Sequence, residues 1–179
     1  MNFYKRASPM QRRSCLSLIA ASTALGLMGC GFQLRGTSKF TFKTLFSPLT
    51  EASLVGVELK RSLESSGKVQ VITDVRQIDK ADVILEVLQD LREKVVVGLN
   101  ASGQVREFQL RLRFTFKLRS AKNNELIPIT EILQQRDISF NESAVLAKET
   151  EEALLYREMQ SDIVQQIMRR LATVTSDKI

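Results

Sequence analysis

The side chains that do most protein chemistry are scarce in this 179-residue chain, which has two cysteines, Cys15 and Cys30, and no histidine. Without an imidazole there is no common general base or metal ligand, and no partner to activate a serine or cysteine nucleophile. No Gly-rich phosphate loop and no Cys/His cluster is present either. The composition points away from an enzyme and from any cofactor or metal. It leaves modification and binding as the chemistry to look for.

Cys30 is the residue set up for modification. It follows Leu27-Met28-Gly29 at the end of a short apolar stretch, Leu16 to Leu27, and behind Lys5, Arg6, Arg12 and Arg13. A basic start, an apolar middle and small residues before the cut make a secretory signal. The apolar part is about a dozen residues, where a spanning helix needs about 20. The pattern fits a bacterial lipoprotein site: cleavage after Gly29, S-diacylglycerol on the Cys30 thiol and N-palmitoyl on the new amino terminus. Several acyl chains give stable anchoring where one is marginal. Gly31 rather than an aspartate follows Cys30, as in lipoproteins sent to the outer membrane.

Residues 1–29 thus read as the signal peptide, 30–38 as a lipidated tether, 39–172 as one domain and 173–179 as a frayed tail. Four of the cations behind the net charge of +6 belong to the signal, so the rest carries +2. That balance, with no Lys/Arg block, gives no reason to expect nucleic-acid binding. Cys15 leaves with the signal and Cys30 is acylated, so no disulfide forms within the mature chain.

The elements follow from periodicity. Phe40, Phe42, Thr44 and Phe46 alternate with Thr41, Lys43 and Leu45, which predicts a strand over 39–46 with those two sets on opposite faces. Ala52, Val55, Leu59 and Leu63 predict a helix over 50–65, stopped by Gly67. Residues 69–72 read as a short strand and 74–80 as a polar loop. Residues 82–91 and 93–99 read as two β-rich stretches or one bent strand. After the turn Asn100-Ala101-Ser102-Gly103, large apolar residues occupy every second position from Phe108 to Leu118. That is a long strand with one buried and one wet face. A turn around Asn123-Asn124 and a strand over 127–140 complete a hairpin, expected to set Lys117 against Glu131 and Arg111 against Asp137. Asn141 to Ser143 caps a last helix reaching about Ala172, with Leu155, Met159, Ile163, Ile167 and Leu171 on its apolar stripe. The fold class is α+β: a two-layer sandwich of one mixed, mostly antiparallel sheet of four to five strands, with two α-helices packed on one face. The other face is left wet or covered by a partner.

Cys30-Gly31-Phe32-Gln33-Leu34-Arg35-Gly36, directly after the lipoprotein site, resembles the opening of the LptE family. Gln104-Val105-Arg106-Glu107-Phe108, Leu146-Ala147-Lys148-Glu149, Arg157-Glu158-Met159 and Gln165 to Leu171 follow in the family's order. The resemblance implies a non-enzymatic outer-membrane lipoprotein that resides in the lumen of the LptD β-barrel. There it plugs the barrel, aids its assembly and binds lipopolysaccharide in transit. It further implies that basic side chains at one end of the domain make the lipopolysaccharide contact. Lys148 matches one of them. The other belongs to the 99–103 turn, which holds no cation here, and Lys94 and Arg106 are the candidates to replace it.

On the residues alone, Arg111, Arg113, Lys117 and Arg119 form a cationic stripe with three readings: a track for phosphates, a solvated face with cross-strand ion pairs, or a surface against a barrel wall. A barrel-independent outer-membrane lipoprotein binding an anionic glycan or lipid is the alternative to the barrel partner.

Overall fold

The computed structural model describes residues 39–48, 53–176 and 179; Cys30, the signal, the tether and the first residues of the expected helix over 50–65 lie outside them. Along the chain come β1 (Thr44–Phe46), α1 (Leu54–Ser65), β2 (Gln70–Ile72), β3 (Val83–Leu99), β4 (Val105–Ser120), β5 (Glu125–Ser139) and α2 (Val145–Leu171). The sheet order is β2-β1-β3-β4-β5. β1 runs parallel to β2 and β3, while β3, β4 and β5 form an antiparallel meander. This is the expected mixed sheet, and β3 is its central strand.

β4 supplies the floor of the core. Leu110, Leu112, Phe114, Phe116 and Leu118 are all buried, under Met159, Ile163, Ile167 and Leu171 of α2 and Val55, Leu59 and Leu63 of α1. Each such side chain contributes roughly 1.5–3 kcal/mol from burial, before entropy costs. Ser53 caps α1 through Gly56 N–H, and Gly67, at φ 68°, ends its C-terminal turn in the left-handed region.

Four details depart from the sequence reading, and a further one, the strand over 82–99, decides between alternatives it left open. The first strand is three residues, not eight, because the chain bends at Lys43; Phe42 joins Leu45 in the main core, while Phe46 lies with Ile72, Ala81 and Ile84 on the other side. Residues 75–80 form a 3₁₀ turn capped by Asp74, whose carboxylate accepts the Arg76 N–H. The stretches over 82–99 are one strand, interrupted between Val87 and Gln89 so that Leu88 is an extra residue in the ladder. In the β4–β5 hairpin, Glu131 faces Thr115 and Asp137 faces Gln109, so Lys117–Glu131 and Arg111–Asp137 are not opposed. The cause is the tight four-residue turn 121–124, with Asn123 at φ 69°, which sets Arg119 against Glu125; the step that follows, where Leu118 faces Ile127 but Phe116 faces Thr130, makes up only part of the offset. Pro128, which has no N–H for a ladder, sits in that step. Finally, the tail expected to fray is fastened at Val174, which is 7% exposed and whose carbonyl accepts the Thr41 hydroxyl at 2.8 Å.

Candidate functional site

The extra residue at Leu88 decides what β3 offers the helices. Before it, Val83, Leu85 and Val87 face the core opposite Ser120, Leu118 and Phe116. A one-residue insertion exchanges the two faces of a strand. Beyond it, Asp90, Arg92, Lys94 and Val96 lie opposite Phe114, Leu112, Leu110 and Phe108, and so face α2. Three charged side chains are thereby directed at the helical layer, where unbroken alternation would have put Leu91, Glu93 and Val95.

At the far end of the sheet this arrangement forms a cleft of about 80 Å³ lined by Lys94, Phe108, Ile138, Phe140, Val145, Lys148 and Glu152 among others. Phe108 and Phe140 meet edge to face at 5.4 Å. Lys94 lies over the Phe108 ring, 4.4 Å from its centre, a cation–π contact. Lys94 Nζ is 2.6 Å from Glu152 Oε2. Lys148 Nζ donates to the Ser139 hydroxyl at 3.0 Å and to Glu151 Oε2 at 2.8 Å. An aromatic floor with two ammonium groups at its rim suits an amphiphile that carries phosphate beside apolar surface. A second cleft, about 300 Å³, adjoins it through Phe140 and is lined by Gln104, Arg106, Asn141 and Ser143.

Lys94 and Lys148 therefore share one site, and Arg106 lies next to it. Arg111 and Arg113 do not: they project from the opposite face of the sheet. Arg113 pairs with Glu131 at 2.6 Å, Lys117 and Arg119 share Glu86, and Arg111 donates to Gln109 Oε1 at 2.7 Å. Three of the four stripe cations are paired with carboxylates, the solvated-face arrangement.

Sequence reasoning missed Glu152, Arg92 and the aromatic floor. Arg92 stacks on Tyr156, 3.5 Å from the ring centre, and reaches Glu152 Oε1 at 3.5 Å. Tyr156 donates its hydroxyl to the Glu93 carbonyl at 2.6 Å, and burial raises its pKa above the usual phenol value. The apolar spacing of α2 marked Met159 and Ile163, but nothing in it marks a glutamate whose partners come from β3. Among the described residues, no helix is long and apolar enough to cross a membrane, and no group of three or more acidic, Cys or His side chains is placed to hold a metal.

The model of the LptE family, described as lipopolysaccharide-assembly, matches residues 42–171. The chain belongs to the LptE family. The family's match takes in every element from the core residue Phe42 to the end of α2, and both lysines of the cleft. The LPS-assembly lipoprotein LptE of Yersinia pestis (strain Pestoides F) is 27% identical over 169 residues, covering 94% of this chain and 80% of the relative. The protein of the same name from Yersinia pseudotuberculosis serotype O:1b matches equally. Among solved structures, lipoprotein B of Nitrosomonas europaea superposes with a TM-score of 0.66 at 35% identity, covering 79% of this chain and 90% of that one. The minor lipoprotein of Acinetobacter baumannii shares the fold at 21% identity and a TM-score of 0.57, over 75% of this chain and 93% of the other.

Proposed function

We propose that the chain is a lipopolysaccharide-assembly lipoprotein of the outer membrane. It partners an LptD-type β-barrel, aids its assembly and plugs it, and binds lipopolysaccharide through the cleft of Lys94 and Lys148. The role is transport and assembly rather than catalysis. Cys30, carrying N-palmitoyl and S-diacylglycerol, tethers a domain that lies on the periplasmic side or within the barrel lumen. Family membership and the relatives' names support the assembly role. The observation that carries the lipid site is the meeting of Lys94, from β3, and Lys148, from α2, over the Phe108–Phe140 floor. Lys94 stands in for the cation absent from the 99–103 turn. The lysines take the phosphates and the rings take adjoining apolar surface.

Two experiments test this. The tagged full chain is co-expressed with its organism's LptD-type barrel and purified in detergent through a salt wash. A one-to-one complex is expected; a lone lipoprotein beside a folded barrel favours barrel-independent binding of an anionic glycan or lipid. In a lipopolysaccharide titration, Lys94→Glu and Lys148→Glu each weaken binding by about tenfold, the scale of one charge-assisted contact. Arg111→Glu and Arg113→Glu, on the other face, leave it within about twofold, as distant surface charges do. Equal losses at all four positions would make the effect one of overall charge and remove the cleft.

A further inference from the structure

Both lysines of the cleft already hold a carboxylate, so an incoming anion has to displace one. The two displacements differ. Glu151 is 47% exposed, and water takes it once it leaves Lys148. Glu152 is only 18% exposed, and a carboxylate left unpaired at that depth is costly. Glu152 has a second cation within reach. Its Oε1 lies 3.5 Å from Arg92 Nη2, while its Oε2 holds Lys94 at 2.6 Å. Arg92 is outside the cleft and is fixed there by its stack on Tyr156, whose hydroxyl is tied to β3. A planar guanidinium locked on a ring is a stationary partner; a lysine on a four-carbon stem is a movable one.

We infer that Glu152 and Arg92 form a counter-ion hand-over: a phosphate entering the cleft takes Lys94, and Glu152 passes to Arg92 without losing its pairing. The inference rests on the anion-binding reading of the cleft and names the residues that set its affinity and selectivity. A singly charged carboxylate ligand offers Lys94 no more than Glu152 does, so the exchange gains nothing. A phosphate monoester brings more charge and three acceptor oxygens, so the exchange runs forward. The cleft therefore selects phosphate over carboxylate. Glu152 and Arg92 are positioning residues here; neither needs to touch the ligand.

The test is a double-mutant cycle on the full chain in dodecyl maltoside, titrated with lipid A carrying two phosphates. Glu152→Gln frees Lys94 and tightens binding by about two- to fivefold, the range a partly exposed ion pair is worth. Arg92→Gln leaves Glu152 with Lys94 alone and weakens binding by a similar factor. In the Glu152→Gln background, Arg92→Gln has no effect, because there is no carboxylate to receive. An Arg92→Gln loss that persists in that background means direct attraction by Arg92 and overturns the hand-over, as does unchanged or weaker binding in Glu152→Gln. If Arg92→Gln fails to fold, Arg92→Lys replaces it, keeping the charge without the flat stack and giving a smaller loss that also vanishes with Glu152→Gln. Lys94→Gln and Lys148→Gln separate the two levels. If both weaken binding and the cycle shows no coupling, the anion site stands and the hand-over falls. If neither changes it, the cleft is not the site and both ideas fall.

Discussion

Asp82 fastens the parallel part of the sheet to the meander with a single side chain. Its Oδ2 accepts the Lys43 and Thr44 amides at 2.8 and 3.0 Å, its own amide donates to the Thr44 carbonyl, and its carbonyl accepts the Ala121 N–H. Burial alone would raise its pKa, but the two amides of Lys43 and Thr44 outweigh that and hold it below the ordinary carboxylate value. Glu86 is lowered too, by its bonds to Lys117 and then Arg119. A group with a depressed folded-state pKa stabilises fully above its unfolded pKa and loses that contribution as pH falls through the folded one. Asp82→Asn, which keeps the shape and removes the charge, is expected to cost about 1 kcal/mol at neutral pH. The gap to the wild type should begin to narrow as the pH falls below the ordinary carboxylate value, about 4, and close only once it passes the lower value of the native side chain. Urea unfolding at pH 7 and pH 3 measures both values; an equal gap at the two would assign the loss to shape rather than charge.

At the scale of elements, what was legible was periodicity and what was not was interruption. The alternation from Phe108 to Leu118 names the buried face of β4 because one strand keeps its own parity whatever it pairs with. The four-residue spacing of Met159, Ile163, Ile167 and Leu171 names the buried face of α2 for the same reason. Register between strands depends instead on loops and inserted residues, and a bulge has no periodic signature. The tight turn at 121–124 therefore shifted the expected pairs, while the step at Leu88 reversed the faces of β3 and delivered Arg92 and Lys94 to the helices. Lys94 was a candidate through family resemblance, yet only the bulge explains how it reaches the same cleft as Lys148. Deleting Leu88 tests this. The deletion joins Val87 to Gln89 opposite Phe116 and Thr115, so regular alternation then leaves Arg92 and Lys94 facing α2 and Glu93 facing away. Lipopolysaccharide affinity should stay within about twofold of the wild type. A loss of about tenfold, as expected for Lys94→Glu, would mean that the cleft needs the local kink of the bulge and not only the facing it sets.

For the molecule as a whole, the question is whether the anchor proposed at Cys30 and the domain are separable. The main core runs from Phe42 to Val174 and draws on β1, both helices and the meander, so the described residues enclose their own hydrophobic interior downstream of Cys30. The cleft lies at the end of that body and is lined by side chains from β3 to α2. Nothing in its chemistry calls for an acyl chain: the lysines, the rings and the paired carboxylates are all positioned by the fold. An anchor supplies something else. It confines the domain to the membrane surface, which raises its effective concentration near a membrane partner without adding a contact. Replacing the lipoprotein signal with an ordinary cleavable one, together with Cys30→Ala, should therefore move the protein from the membrane to the soluble fraction. The thermal midpoint and the affinity for purified lipopolysaccharide should stay at the wild-type values. The barrel complex should still form when both partners are concentrated, with the loss confined to assembly in cells at native expression. An unfolded or lipopolysaccharide-blind variant would instead make the lipidated segment a structural part of the domain.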